Sequence, residues 1–145
     1  MKTVIAKNIY TLRMKHHYSQ DNLSEIISVS RQTIAKWEAG QTLPDINHCN
    51  LLAQHFNVSL DDLVNYDQDQ HVMPIPPKGK HYFGLTPISE DGFIKIPNEA
   101  IQLFQLDIGD QFAVLVDENS ETRGIALVPE KEFIKLLDLI QKERK

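Results

Sequence analysis

Across residues 67–79, DQDQHVMPIPPKG, the hydrophobic pattern of the chain changes its period. Before this segment apolar residues recur at helical spacing. After it they alternate, or run continuously, as strands do. A switch of that kind divides the 145 residues into two small domains and excludes a single all-helical or all-β fold. The segment itself carries three prolines and few periodic apolar positions, so it reads as a linker of extended character. Charge divides at the same place. Residues 1–66 hold six Lys and Arg against six Asp and Glu; residues 67–145 hold nine against fourteen. The formal net charge of −5 therefore belongs entirely to the second half, and says little about what the first half binds.

Residues 1–66 read as five short helices. Ile5, Ile9 and Leu12 predict a helix over 3–16. Ser19 is a suitable N-cap for a second, with Leu23, Ile26 and Ile27 inward, and Ser30 for a third over 30–38. Gly40 follows at a helix-ending position. Asp45 caps a fourth helix with the stripe Cys49, Leu52, Ala53 and Phe56. Ser59 caps a fifth with Leu60, Leu63 and Val64.

The stretch SQDNLSEIISVSRQTIAKWEAG, residues 19–40, places two of these helices either side of a tight turn at Ser28-Val29. That is the plan in which a second helix enters the major groove of DNA. At about 100° per residue, Ile34, Trp37 and Glu38 cluster on one side of the third helix. Arg31, Gln32, Ala35 and Lys36 cluster on the other, with Thr33 at the edge. Arg and Lys suit the paired acceptors of guanine, Gln the donor–acceptor pair of adenine, and the small alanine permits close approach.

The strings SRQTIAKWEAGQTLPD and LLAQHFNVSLDDL make residues 5–66 resemble the lambda-repressor-like, or XRE, helix-turn-helix family. The resemblance implies roles. Arg31, Gln32 and Lys36 would reach base edges, with Thr33 on a base methyl or a phosphate. Gln20, Ser30, Gln41 and Thr42 would contact the DNA backbone. Arg13 and Glu38 would form a structural ion pair between the first and third helices. The sequence departs from the family in the turn, where Ser28 replaces the usual glycine and must tolerate a left-handed backbone or a different turn.

Beyond the linker, residues 93–96 alternate, while 112–116 and 125–128 are continuous apolar runs; all three read as strands, with DENSETRG (117–124) as a hairpin loop. A short helix is predicted over 98–104 and an amphipathic one over 130–142, with Phe133, Leu136, Leu137 and Ile140 on one face. The strings ISEDGFIKIPNEAIQLFQLDIGDQFAVLV and GIALVP resemble the SpoVT/AbrB-like swapped-hairpin domain, in which two chains interleave hairpins into one barrel. Many members of that family bind DNA through basic residues beside the first strand and on the short helix. Here Phe93 stands where a basic residue is common, and residues 98–102 contain no Arg or Lys. The expected role is dimerisation. The terminal helix either caps the barrel or pairs with its twin. Lys142, Arg144 and Lys145 suit its C-terminus electrostatically.

The expected architecture is thus a multidomain α and β protein. It has a five-helix lambda-repressor-like helix-turn-helix domain (1–66), a linker (67–79), an AbrB-like swapped-hairpin β-barrel (80–129) and a C-terminal helix (130–145). The expected function is that of a sequence-specific regulator, a repressor, bound to double-stranded DNA as a homodimer on a pseudo-palindromic operator. The alternative is an antitoxin that neutralises a partner protein. A partner protein or small-molecule effector is left open by the sequence.

No catalytic constellation, cofactor motif or metal set is expected. His16 and His17 are adjacent and point about 100° apart on a helix, which suits chelation poorly. Cys49, the lone cysteine, lies on an inner stripe and reads as core. No apolar run approaches the roughly 18 to 20 residues that span a bilayer. MKTVIAKNIYTLRMKHH lacks a long apolar stretch with a small-residue cleavage site, so no signal peptide and a cytoplasmic location are expected.

Overall fold

The first helical turn of this chain begins where a side chain can stand in for the missing backbone acceptor, and so do the four helices that follow. In the computed structural model, which describes residues 3–143, Thr3 caps α1 (Val4–Lys15) and Ser19 caps α2 (Gln20–Ile27). Ser30 caps α3 (Arg31–Glu38), Asp45 caps α4 (Ile46–His55) and Ser59 caps α5 (Leu60–Asn65). Each cap oxygen accepts from the backbone N–H three residues on, at 2.9 to 3.4 Å. At α2 the cap is reciprocal, since Asn22 Oδ1 also accepts from the Ser19 N–H at 3.0 Å. Arg144 and Lys145, assigned above to the end of the last helix, lie outside the described residues.

The helix exits depend on left-handed residues. His17, Ser28, Asn57 and Gly40 all have positive φ. At each, the following N–H reaches back five residues to a helix carbonyl, as in Val29 N–H to Ser24 O at 3.0 Å and Gln41 N–H to Lys36 O at 2.9 Å. Ser28, with φ 61° and ψ 43°, adopts the left-handed backbone that the missing glycine demanded.

The chain divides into two compact units, Met1–Tyr82 and Phe83–Lys145. The first has a closed core: Ile5, Ile9 and Leu12 of α1 meet Leu23, Ile27, Ile34, Trp37, Leu52, Phe56 and Leu63. Burying a side chain of this size contributes about 1.5–3 kcal/mol. Ile26, expected inward, is exposed; small Ser24 is buried in α2 instead. Asn8 is buried as well, and its amide donates to Leu63 O at 3.1 Å and Tyr66 O at 2.9 Å, closing the end of α5.

Residues 67–82 belong to this first unit. Expected as a linker over 67–79, they are extended but also anchored. Ile75 joins the core, Gln68 donates to Asn8 Oδ1 at 2.8 Å, and Lys7 pairs with Asp69. The Lys78 N–H reaches Asn57 O at 2.7 Å. The boundary between units therefore falls at Tyr82–Phe83 and not after Gly79. One buried isoleucine and a few long-range hydrogen bonds outweigh the composition of the segment.

The second unit contains α6 (Asn98–Phe104), β1 (Phe112–Asp117), β2 (Gly124–Pro129) and α7 (Glu130–Glu143). β1 and β2 pair antiparallel from Phe112↔Pro129 to Asp117↔Gly124. Thr122 Oγ1 donates to Asp117 Oδ2 at 2.6 Å across the intervening loop, which holds the Asp117 carboxyl below its ordinary value. Residues 93–96, expected as a strand, form only an isolated bridge, Ile88↔Ile94, beyond a turn at Gly92. The sheet is thus an open two-stranded one within a single chain; the expected closed barrel is not formed by one copy. No described residue of 83–143 is buried. No described helix is long and apolar enough to cross a membrane.

Candidate nucleic-acid interface

The helix α3 is held from behind by a charge network. Arg13 Nε donates to Glu38 Oε1 at 2.6 Å and Arg13 Nη2 to Oε2 at 3.0 Å, a bidentate pair with side chains 9% and 5% exposed. Gln20 Nε2 adds a third donor to Glu38, at 2.9 Å. Arg13 Nη1 also donates to Tyr18 O at 2.8 Å. The hydrogen bonds to Glu38 hold the Arg13 guanidinium above its ordinary pKa, against the opposing effect of burial. One carboxylate thereby joins α1, α2 and α3. Removing a single member of such a buried pair costs roughly 3–5 kcal/mol, because its partner stays buried and charged.

Opposite that network lies the exposed face. Ile34, Trp37 and Glu38 are buried, while Arg31, Gln32 and Lys36 are exposed and Thr33 and Ala35 are half-buried. The structure thus brings Arg31, Gln32 and Lys36 together on one side of a helix whose rotation about its own axis is set by packing. Ser30 Oγ caps α3 and shares a 2.8 Å hydrogen bond with Thr33 Oγ1. Gln41 and Thr42 are exposed in the loop after α3, with both backbone N–H groups turned back to Lys36 O. The side chains of that loop are left available while its path is fixed.

Two features escape a helical wheel. Gln20, which the resemblance assigned to a phosphate, is engaged with Glu38. An amide nitrogen carries two N–H groups, so that bond leaves one over. Arg31 Nε lies 3.6 Å from Asp21 Oδ2, an exposed pair joining the two helices of the turn. An acidic residue in the first turn of α2 was visible in the sequence, but which helix start it faced was not.

Cys49 and His16 sit in surroundings that account for their shifts. Cys49 is buried, which pushes its thiol up, and its Sγ lies 3.7 Å from Pro44 O. His16 packs on Tyr18 and Phe56, and His55 on the same two rings. Partial desolvation under these rings holds the otherwise exposed His16 below its ordinary value, assisted by His55, Lys15 and His17. Among the described residues no group of three or more His, Cys, Asp or Glu is placed to hold a metal ion.

Comparison with known proteins places residues 9–63 in the helix-turn-helix family profile HTH_3. The chain is 33% identical over 58 residues to an uncharacterized HTH-type transcriptional regulator of Methanocaldococcus jannaschii, covering 40% of this chain and 88% of that protein. It is 32% identical over 65 residues to the antitoxin PezA of Streptococcus pneumoniae, covering 45% of this chain and 41% of PezA. It is 29% identical over 62 residues to the HTH-type transcriptional activator BcrR of Enterococcus faecalis, covering 43% of this chain and 30% of BcrR. The chain therefore spans less than half the length of PezA and of BcrR, but most of the archaeal regulator.

Proposed function

The chain belongs to the helix-turn-helix family, and from that premise we propose that it is a homodimeric repressor that reads duplex DNA with α3 in the major groove. One observation carries this reading: Arg31, Gln32 and Lys36 share the exposed side of a helix whose other side is locked by Ile34, Trp37 and Glu38. Arg31 and Lys36 address guanine, Gln32 addresses adenine, and Thr33 lies against a base methyl or phosphate. The second N–H of Gln20, with Ser30, Gln41 and Thr42, holds the phosphate backbone and sets register.

The second unit supplies the dimer. Val114, Val116 and Ile125 of its strands are each more than 60% exposed, apolar surface of the kind that marks an interaction site. The SpoVT/AbrB-like reading accounts for this: two copies interleave the 86–95 turn and the β1–β2 pair into one barrel. Two-fold symmetry then calls for a pseudo-palindromic operator with half-sites about 34 Å apart, or a multiple of that. The acidic balance of this unit assigns it no share of phosphate contact.

Selection of bound sequences from a random duplex pool tests the reading. Enrichment of an inverted repeat is expected. Enrichment of an asymmetric site, or of none, removes the dimeric operator or sequence reading itself. The likeness to PezA favours a second reading, that of an antitoxin. It requires a co-purifying small basic protein whose production alone arrests growth, and that growth arrest must be relieved by this chain.

A further inference from the structure

Residues 67–82 do more than connect, because their anchors leave a cavity of about 280 Å³ between them and the end of α1. Its lining is mostly apolar and rich in rings, among them those of Tyr66, His71 and Tyr82 and the pyrrolidine of Pro77. Tyr66 and His71 stack at 4.3 Å with planes 21° apart, and Tyr66 Oη donates to Met73 O at 2.9 Å, so the aromatic wall is braced. Lys15, Lys80 and His81 also line it, together with the 73–76 stretch, and no carboxylate belongs to it. Among the described residues neither lysine has an ion-pair partner. The volume lies just under the range of about 300–1,000 Å³ usual for small-molecule sites, which limits the occupant to about one ring.

We propose that this cavity is a binding site for a small aromatic carboxylate, its ring against Tyr66, His71 and Pro77 and its charge between Lys15 and Lys80. Ring-lined walls select a planar body, and two unpaired ammonium groups without a neighbouring carboxylate select an anion over its neutral counterpart. The occupant touches both α1 and the 71–82 segment. It therefore stabilises the docked segment by mass action, as any ligand confined to the folded form does. The site is independent of the DNA-binding reading and stands or falls without it.

The full chain, labelled with nitrogen-15, is titrated with 4-hydroxybenzoate and separately with 4-hydroxybenzamide, which keeps the ring and removes the charge. Saturable shifts are expected at Lys15, at Tyr66 and over 71–82, with the amide about tenfold weaker than the carboxylate. The double variant Lys15→Gln/Lys80→Gln changes only exposed side chains. It should lose about tenfold for the carboxylate and leave the amide unchanged. Equal binding of the two probes overturns the proposal, as do shifts scattered elsewhere in the chain. So does the absence of saturable shifts with 4-hydroxybenzoate and phenylacetate up to about 10 mM.

Discussion

In the helical unit Ile34 and Leu63 are fully buried, at 0% exposure, and each helix turns its apolar face onto a neighbour from the same chain. In the β unit Val116 and Ile125, cross-strand partners in the one hairpin ladder, are 71% and 72% exposed. The two units have similar apolar character but different means of hiding it. Short capped helices joined by tight turns enclose a core within about 65 residues. An antiparallel pair has two faces and two edges, and a lone hairpin is marginal in water. Its β-branched residues close a core only when a further layer, sheet or helix, is laid on them.

Cutting the chain between the units tests this contrast most severely. Residues 1–82 should remain folded and monomeric, with a melting temperature independent of concentration. On the dimeric reading proposed above, residues 83–145 should lose their cooperative transition on dilution, since a dimer's stability depends on protomer concentration. Circular dichroism with analytical ultracentrifugation reads both. A monomeric, cooperatively folded 83–145 would break the comparison.

Glu38→Ala should destabilise the helical unit by roughly 3–5 kcal/mol in urea unfolding, leaving Arg13 charged and buried and Gln20 without its acceptor. The association of the β unit should not change. Arg31→Ala should remove about 1–3 kcal/mol of discrimination at one base pair while leaving thermal stability alone, because its pair with Asp21 is exposed. Unchanged base preference in a binding selection would take Arg31 out of the reading face.

His16 provides a pH test confined to the helical unit. Its folded pKa lies below the ordinary 6.5, chiefly through partial desolvation of an otherwise exposed ring, so the expected effect is small. The unfolded chain therefore binds the proton more readily. The stability tied to neutral His16 is complete above 6.5 and is lost as pH falls through the folded value. Melting of residues 1–82 followed from about pH 7.5 down to pH 5 should decline less steeply for His16→Gln than for the parent. Parallel curves would assign the acid sensitivity elsewhere. The smallest effect expected is from Ser28→Gly. Relief of a left-handed serine, about 1–2 kcal/mol, is offset in part by the roughly 0.5–1 kcal/mol extra entropy that glycine loses on folding. A net gain below about 1 kcal/mol in chemical unfolding is the expected outcome; a net loss would show that the Ser28 side chain serves the turn.

The legibility of these elements follows from the range of the interactions that make them. Ser19, Ser30, Asp45 and Ser59 were readable as N-caps, because a cap hydrogen bond spans three residues; Thr3, read as the first residue of the helix over 3–16, is the N-cap of α1. Of the exits, Gly40 was readable and a left-handed Ser28 was one of two expected turns; those at His17 and Asn57 were not, because these residues take a left-handed backbone without being glycine. Their carbonyl–amide bonds stabilise a conformation that composition alone argues against. The inward face of α2 was partly misread: Ile26 fits the spacing, but the helix packs through Leu23, Ser24 and Ile27. Alternation over 93–96 promised a strand, yet one chain offers it only the Ile88 bridge.

By itself the sequence determined the division into a helical and a β region, the helix starts, and the side of α3 on which Arg31, Gln32 and Lys36 lie. Each depends on neighbours within a turn or two of chain. Only the tertiary structure decided that Gln20 shares Glu38 with Arg13, that Asp21 faces Arg31, and that Ile75 draws the proline-rich segment onto the helical core. Those contacts join residues 10 to about 70 positions apart, and no local pattern encodes which distant partner a side chain will meet.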